Sequence, residues 1–440
     1  MGVFMRESTT EREKNTSPAP TVDFAQLAAR LSAEQRAVVE SWGRGMAVLA
    51  GAGSGKTTTL VVKCGELLRR QPDAKLCAVS FTERSASDLR EKLSALAPLA
   101  GHWVMTIHGL CGAIIREFPR QAGYHGDERM LSEPEAQTLW ERATEGLWFE
   151  EVPPQIHDAL ELLLERESRP RVVELLGRLR ELANQGALPS LGSRAEDPAS
   201  IALFRLAGHV LDRYERLKRR QGAIDFGDLE TGADRALEFE EVRTRFHERF
   251  ALVMVDEFQD TNPLQARIVF RFCRPDFSNL CVVGDPKQSI YRFRDADVGV
   301  FEECCRMLPE RRALTWNFRS RPGIIELSNR VCAPAFAASA MEYEALVPRR
   351  EPDPKIRPAE VLEDATPDSL ARWVASERAR GVRLGDMALL LRRIRGKEEW
   401  LKALAAAGIP VAVGSGGLFW EDPRVRELTA FLKWWDDPAN

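Results

Sequence analysis

The sequence predicts an α/β fold built on a parallel sheet and interrupted by a helical insertion, and three observations carry that expectation. Short apolar runs alternate with helix-like segments from Phe24 to Leu110. A Gly-rich loop, AGAGSGKTTTL at 50–60, joins one of these runs to a helix-like stretch. From about Ile114 to Arg220 the alternation gives way to Leu and Val at helical spacing, and two later apolar runs, FALVMVDE from Phe250 and LCVVGD from Leu280, end in carboxylates.

Residues 1–22 are polar, charged and Pro-containing, with too little apolar surface to offset ordering entropy, and read as a disordered leader. Residues 23–113 and 221–315 form the sheet domain, with Met46–Ala50, Leu76–Phe81 and Trp103–Ile107 as its first strands. Residues 114–220, including IHDALELLLERESRPRVVELLGRLRELANQ, are the helical insertion. A Pro-rich, acidic connection, VPRREPDPKIRPAEVLEDATPDS, then leads through 316–440, an incomplete second domain with MALLLRR as a strand, EEWLKALAAAGI as a helix and PVAVG as a strand.

Composition narrows the function classes. The chain has 440 residues, 44% hydrophobic and 29% charged, with a formal net charge of -4, so no global positive field draws it to polyanions and any nucleic-acid site must be local. Such a site can grip a single strand by stacking on its bases with little net charge. The eight cysteines include no Cys-x-x-Cys pair or His ladder and read as reduced, buried thiols. The N-terminus lacks the apolar core of a signal peptide and no later run is long enough to span a bilayer, which places the protein in the cytosol.

The Gly-rich loop follows the apolar MAVLA and leads into VVKCGELLRR, the order strand, loop, helix that phosphate binding requires. Ala50 stands where the usual pattern opens with Gly, and Gly51, Gly53 and Gly55 supply the flexibility. Backbone N–H groups from Ala52, Gly53, Ser54 and Gly55 through Lys56 and Thr57 can converge on phosphate oxygens at the positive end of the helix dipole. Lys56 is placed for the β and γ phosphates and the Thr57 hydroxyl for Mg²⁺. A Gly/Ser-rich turn is the bland alternative, and the loop alone leaves kinases, GTPases and transporters open. In LVMVDEFQDT, Asp256 is positioned for the metal, and Glu257 can take a proton from the water attacking the γ phosphate.

DEFQDT resembles the acidic box of the UvrD/Rep/RecB group of superfamily 1 DNA helicases, and other boxes follow in order. LSAEQRAVV (31–39) is similar to the adenine-reading Q motif, AVSFTERSASDLREKL (78–93) to motif Ia, TIHGLCGAII (106–115) to the Thr-x-His box and IDFGDLE (224–230) to the Asp-Phe-x-Asp-Leu segment. VVGDPKQSIYRFRDAD (282–297) resembles motif III, in wording closer to the RecB and AddA branch, and LTWNFRSRPGIIELSN (314–329) resembles motif IV.

The resemblance implies a RecA-like P-loop NTPase with ATP and Mg²⁺ as cofactors, a partial second RecA-like domain, and 3′ to 5′ translocation on single-stranded DNA in repair or recombination. It implies that Gln35 pairs with the adenine, that Phe318 stacks on it, and that Thr58 lines the nucleotide. It gives Gln288 and Gln259 roles in sensing the γ phosphate and sends Arg319 to that phosphate, where a guanidinium stabilises developing charge. Phe81, Tyr291 and Phe293 become base-stacking platforms, with Thr82, Thr106, His108 and Arg294 as polar DNA contacts. Singly, each aromatic is more often core and His108 more often a satisfied imidazole.

Two positions depart from the family. Thr58 stands where an Arg is common, and Asp295 puts an anion where a Gly is usual and bases are expected. The later His-x-x-Lys-Gly-Leu-Glu and Val-Ala-x-Thr-Arg boxes do not occur after residue 330. The expectation is therefore an incomplete motor, finished by a missing C-terminal half or a complementing polypeptide, with an apolar docking face around Phe431, Leu432, Trp434 and Trp435, and slow hydrolysis by these residues alone. An ATP-binding regulatory or anti-phage defence subunit of a nuclease complex is the competing reading.

Overall fold

The computed structural model describes residues 24–184, 192–193, 195–290, 298–337, 343–352, 365–391 and 396–413, together with 425, 427–429, 431 and 435. Residues 1–22 and the motif III positions Tyr291, Phe293, Arg294 and Asp295 lie outside the described residues, as do Leu432 and Trp434. By internal contacts the chain divides into two units, Met1–Ile356 and Arg357–Asn440.

The first unit is organised on a six-stranded sheet, β1 (Met46–Ala50), β2 (Lys75–Ser80), β3 (Trp103–Thr106), β4 (Phe250–Val255), β5 (Leu280–Gly284) and β6 (Glu310–Leu314), in the spatial order β3-β2-β4-β5-β1-β6. Every pairing is parallel. Side chains alternate between two cores, as the period of two requires. Cys77, Val79, Val253, Val255, Leu280 and Val282 pack on one face, and Leu76, Ala78, Leu252, Met254, Cys281 and Val283 on the other. Helices on both faces bury these central strands, which is why they read as unbroken apolar runs.

Before the insertion come α1 (Phe24–Ala29), α2 (Ala33–Glu40), α3 (Lys56–Arg70), α4 (Glu83–Ser94) and α5 (Ile107–Glu117). The insertion holds α6 (Glu133–Phe149), α7 (Pro154–Leu164), α8 (Arg169–Asn184) and α9 (Pro198–Arg220), which share a core of their own around Trp140, Leu160, Leu176, Leu206 and Tyr214. After it follow α10 (Phe226–Ala236), α11 (Glu240–Arg249), α12 (Pro263–Phe272), α13 (Val298–Met307) and α14 (Pro322–Ala337). The helix α5 continues unbroken to Glu117, so the expected boundary at 113/114 falls inside it.

β6 was not foreseen. Its sequence ERRAL is charged at three of five positions, and it closes the sheet edge beside β1, where charged side chains face solvent. The second unit holds α15 (Pro367–Ala379) and α16 (Lys397–Ala406), whose contact buries Ala371, Leu404 and Ile409. The strands expected at MALLLRR and PVAVG are corrected here. Residues 387–391 and 410–413 are not strand, and Leu390 stays exposed. Apolar content gives a strand only where a neighbouring strand takes its N–H and C=O groups, and none does so among the described residues.

Candidate nucleotide site

The strand order explains how residues two hundred positions apart meet. β5 lies between β4 and β1, so the loops leaving β1, β4 and β5 emerge side by side at the C-terminal edge of the sheet. They carry the glycine loop, Asp256–Glu257 and Asp285 respectively.

In the glycine loop Gly53 and Gly55 adopt φ of 70° and 80°, a region costly for other residues. Gly55 caps α3 without a side-chain bond. Among the described residues no acceptor takes the backbone N–H of Gly53, Gly55, Lys56 or Thr57, and the buried Ser54 hydroxyl also has no partner. The first N–H groups of a helix have no intrahelical acceptors, and an array of them converging at a loop suits an anion with several oxygens. Thr57 and Thr58 lie in the first turn of α3.

Lys56 Nζ stands 2.6 Å from Glu257 Oε2. Glu257 is held at φ 55°, in the left-handed region that a non-glycine residue rarely occupies, and such strain clusters at working sites. Asp256, directly before it, is anchored by its own N–H to Val79 of the neighbouring strand and accepts a bond from Glu257 N at 3.0 Å. Burial, and then the charge of Glu257, push the Asp256 carboxyl up to about 6 against the pull of Lys56. Asp260 is raised to about 6 for the same reasons. Three carboxylates beside one lysine form a site short of positive charge. Asp256 and the Thr57 hydroxyl are the side chains expected from the sequence to hold a divalent cation beside this acid cluster.

Gln259, buried, reaches in two directions. Its Nε2 donates to Glu257 Oε2 at 3.0 Å and to Asp260 at 3.3 Å, and its Oε1 accepts from the Asp285 N–H at 2.9 Å. Asp285 in turn accepts from Gln288 Nε2 at 2.7 Å. The two predicted glutamines are thus joined through Asp285, whose part the sequence reading missed.

Gln35 lies against the loop, where its Oε1 accepts from Ser32 N at 2.9 Å and its Nε2 donates to the Ser54 carbonyl at 2.8 Å; each atom keeps a second hydrogen-bonding position. Phe318 is exposed beside Trp316, and its N–H donates to the Gly53 carbonyl at 2.9 Å. Arg319 is exposed next to it.

The polar DNA candidates sit at the ends of the adjacent strands β2 and β3. Thr82 caps α4 and Thr106 caps α5, each accepting from a backbone N–H three residues on. Thr106 also donates to Glu83 at 3.1 Å. Phe81 is half-buried at the end of β2. His108 Nε2 stands 3.0 Å from Glu230, which also accepts from Asn262 and Gln265, and its ring meets the exposed Phe226 edge-on. Neither Phe226 nor Glu230 was singled out from the sequence, although both lie in the IDFGDLE segment.

Among the described residues no group of three or more His, Cys, Asp or Glu forms a metal cluster, and no helix is long and apolar enough to cross a membrane. Cys64, Cys77, Cys111, Cys273, Cys281 and Cys304 are buried thiols, and none of the eight cysteines is in a disulfide.

A parallel sheet that turns a glycine loop and an acid pair toward one another at neighbouring strand ends defines a P-loop nucleoside triphosphatase of the RecA-like kind. The chain belongs to the UvrD/REP helicase family, whose N-terminal domain matches residues 31–308. It is 29% identical to the ATP-dependent DNA helicase UvrD1 of Mycobacterium tuberculosis over 97% of this chain and 55% of that protein. With UvrD2 of the same organism it shares 30% identity over 92% of this chain and 58% of the relative. With PcrA of Staphylococcus aureus the figures are 25%, 92% and 53%. The chain spans about half the length of the relatives it matches.

Proposed function

We propose that this chain is the ATP-binding motor portion of a DNA helicase or translocase that moves 3′ to 5′ on single-stranded DNA, in repair or recombination. The observation that carries the reading is the Lys56–Glu257 pair at 2.6 Å, set over a loop with unpaired N–H groups. In this reading residues 23–113 and 221–315 are the motor domain, 114–220 the insertion and 316–440 part of a second RecA-like domain. The RecB/AddA affinity of GDPKQSIYRFR, a completing segment or polypeptide with the later boxes, a nuclease subunit and a cytoplasmic site of action belong to the same proposal.

A triphosphate entering the loop takes the N–H array and draws Lys56 away from Glu257. Mg²⁺, when bound, neutralises phosphate charge and orients the β and γ oxygens. Glu257, released from the lysine, accepts the proton of the attacking water as the γ phosphorus–oxygen bond to ADP breaks. Because Gln259 donates to Glu257 and accepts from Asp285 N, movement of the glutamate alters the link to Gln288. Tyr291, Phe293 and Arg294 follow within six residues of Gln288 in the sequence, and this proximity supports the reading that the segment reports nucleotide state to stacked bases. Phe81, Thr82, Thr106 and His108 are the proposed contacts on the β2 and β3 ends.

Fluorescence anisotropy with a labelled oligo-dT tests this. The expected result is single-strand binding that weakens with salt and shifts on addition of Mg·ATPγS. Single-strand affinity that is absent at low salt, or indifferent to nucleotide, contradicts the proposal.

A further inference from the structure

The segment that ends β6 is laced to the crest of the glycine loop. Asn317, 1% exposed, donates from Nδ2 to the Ala52 carbonyl at 2.5 Å, while its Oδ1 accepts from Arg319 N at 3.1 Å and Ser320 N at 2.8 Å. On either side Phe318 N donates to the Gly53 carbonyl and Gly51 N to the Leu314 carbonyl. The Glu34 carboxylate, from the first turn of α2, accepts from Thr315 N at 2.8 Å, Thr315 Oγ1 at 2.6 Å and Trp316 N at 3.3 Å, fixing the same segment from behind. The fit is close. A Cβ on Gly53 would lie 2.7 Å from both Asn317 Nδ2 and the Arg319 Cβ.

We infer that Asn317 is a positioning residue that locks the backbone of Arg319 to the phosphate loop, so that the loop's shape decides where the arginine can reach. The inference rests on the proposed nucleotide site and deepens it. Only an amide supplies, from one short side chain, the donor that Ala52 takes and the acceptor that the Arg319–Ser320 turn uses. Aspartate lacks the donor and alanine lacks both. Loss of the side chain removes three hydrogen bonds at once, from the Ala52 carbonyl and from the Arg319 and Ser320 N–H groups. The arginine itself points its charge from an exposed position, so its placement depends on this backbone tie and not on a pocket around the guanidinium.

The test compares Mg·ADP and Mg·ATPγS affinities of the 440-residue chain by fluorescence titration. Arg319→Ala sets the scale by lowering the preference for ATPγS over ADP about tenfold, the worth of one charge-assisted contact. Asn317→Ala is expected to lower the preference by a similar factor while ADP affinity changes less than about threefold, with no further loss in the double variant. Asn317→Ser, whose hydroxyl can keep the local turn but not reach Ala52 as well, guards against misfolding and should lose part of the preference. Retention of the wild-type preference by both Asn317 variants, or an equal fall in both affinities, overturns the inference while leaving the site intact. A preference untouched by Arg319→Ala overturns the site's γ-phosphate reading and the inference with it.

Discussion

Lys56 of the glycine loop and Glu257 of the acidic strand end form an ion pair, Nζ to Oε2 at 2.6 Å. In the proposed mechanism the carboxylate must give up the lysine when a phosphate binds, which makes Glu257 both a competitor for binding and the acceptor of the water's proton. Glu257→Gln should therefore bind Mg·ATPγS at least as tightly as the wild type. Any hydrolysis by the full motor should fall by about a hundredfold or more, the usual contribution of a general base. Weaker binding together with unchanged hydrolysis would show that the glutamate is only a structural partner of the lysine.

Gly284 ends β5 where Gln259 crosses to Asp285. A Cβ there would lie 2.6 Å from Gln259 Oε1 and 3.2 Å from its backbone N, so Gly284→Ala must displace the side chain that joins Glu257 to Asp285. The expected outcome is a loss of about 1–3 kcal/mol of stability by chemical denaturation, from overpacking, with impaired hydrolysis. An alanine accepted without change in either quantity places the Gln259 link outside the mechanism.

The insertion is pinned to the motor by charge. Lys218 of α9, 2% exposed, stands 2.6 Å from Asp228 and 3.6 Å from Asp225, and Tyr214 donates to Asp225 at 2.6 Å. Burial works against the lysine's charge, but the surrounding carboxylates outweigh it and hold its pKa above the ordinary value. Lys218→Ala leaves Asp228 buried without its cation, while Asp225 keeps Arg180 at 3.3 Å, and should cost about 3–5 kcal/mol. A loss under about 1 kcal/mol in urea denaturation would show that water reaches the cluster.

Thr106 can be a cap, a DNA contact or both. It accepts from Gly109 N and donates to Glu83. Thr106→Val should lower stability by about 0.5–2 kcal/mol through loss of the cap, and Thr106→Ser should restore it. If single-strand affinity falls in the valine variant by more than unfolding explains and returns in the serine variant, the hydroxyl also serves DNA. If affinity never moves, the capping role is sufficient.

The six strand ends and their boxes were legible to different degrees, for a physical reason. β1, β4 and β5 are buried on both faces, so their sequences are unbroken apolar runs, and the acids and glycines that follow them stand out. β6 is an edge strand written ERRAL, and its place is fixed by pairing with β1, which no local pattern encodes. The runs at 387–391 and 410–413 fail in the opposite sense, with apolar residues but no partner strand among the described residues. Lys56, Asp256 and Glu257 could be named as candidates because their chemistry follows from loop and strand-end position, and Gln259 because of its place in a box that resembles the family's. Asn317, Asp285 and Glu230 could not, because their importance lies in hydrogen bonds to segments distant in sequence. The service of Thr82 and Thr106 as helix caps was readable from Thr-x-x spacing before a helix, yet was overshadowed by their place in the boxes.

The central claim is that a magnesium-bound triphosphate seats on the loop through Lys56. Isothermal titration of Mg·ATPγS into the wild type and Lys56→Ala, with matched thermal melts, tests it most directly. The account expects one site per wild-type chain and an affinity at least about tenfold lower in the folded variant. Equal heats and equal affinities in the two proteins would contradict it.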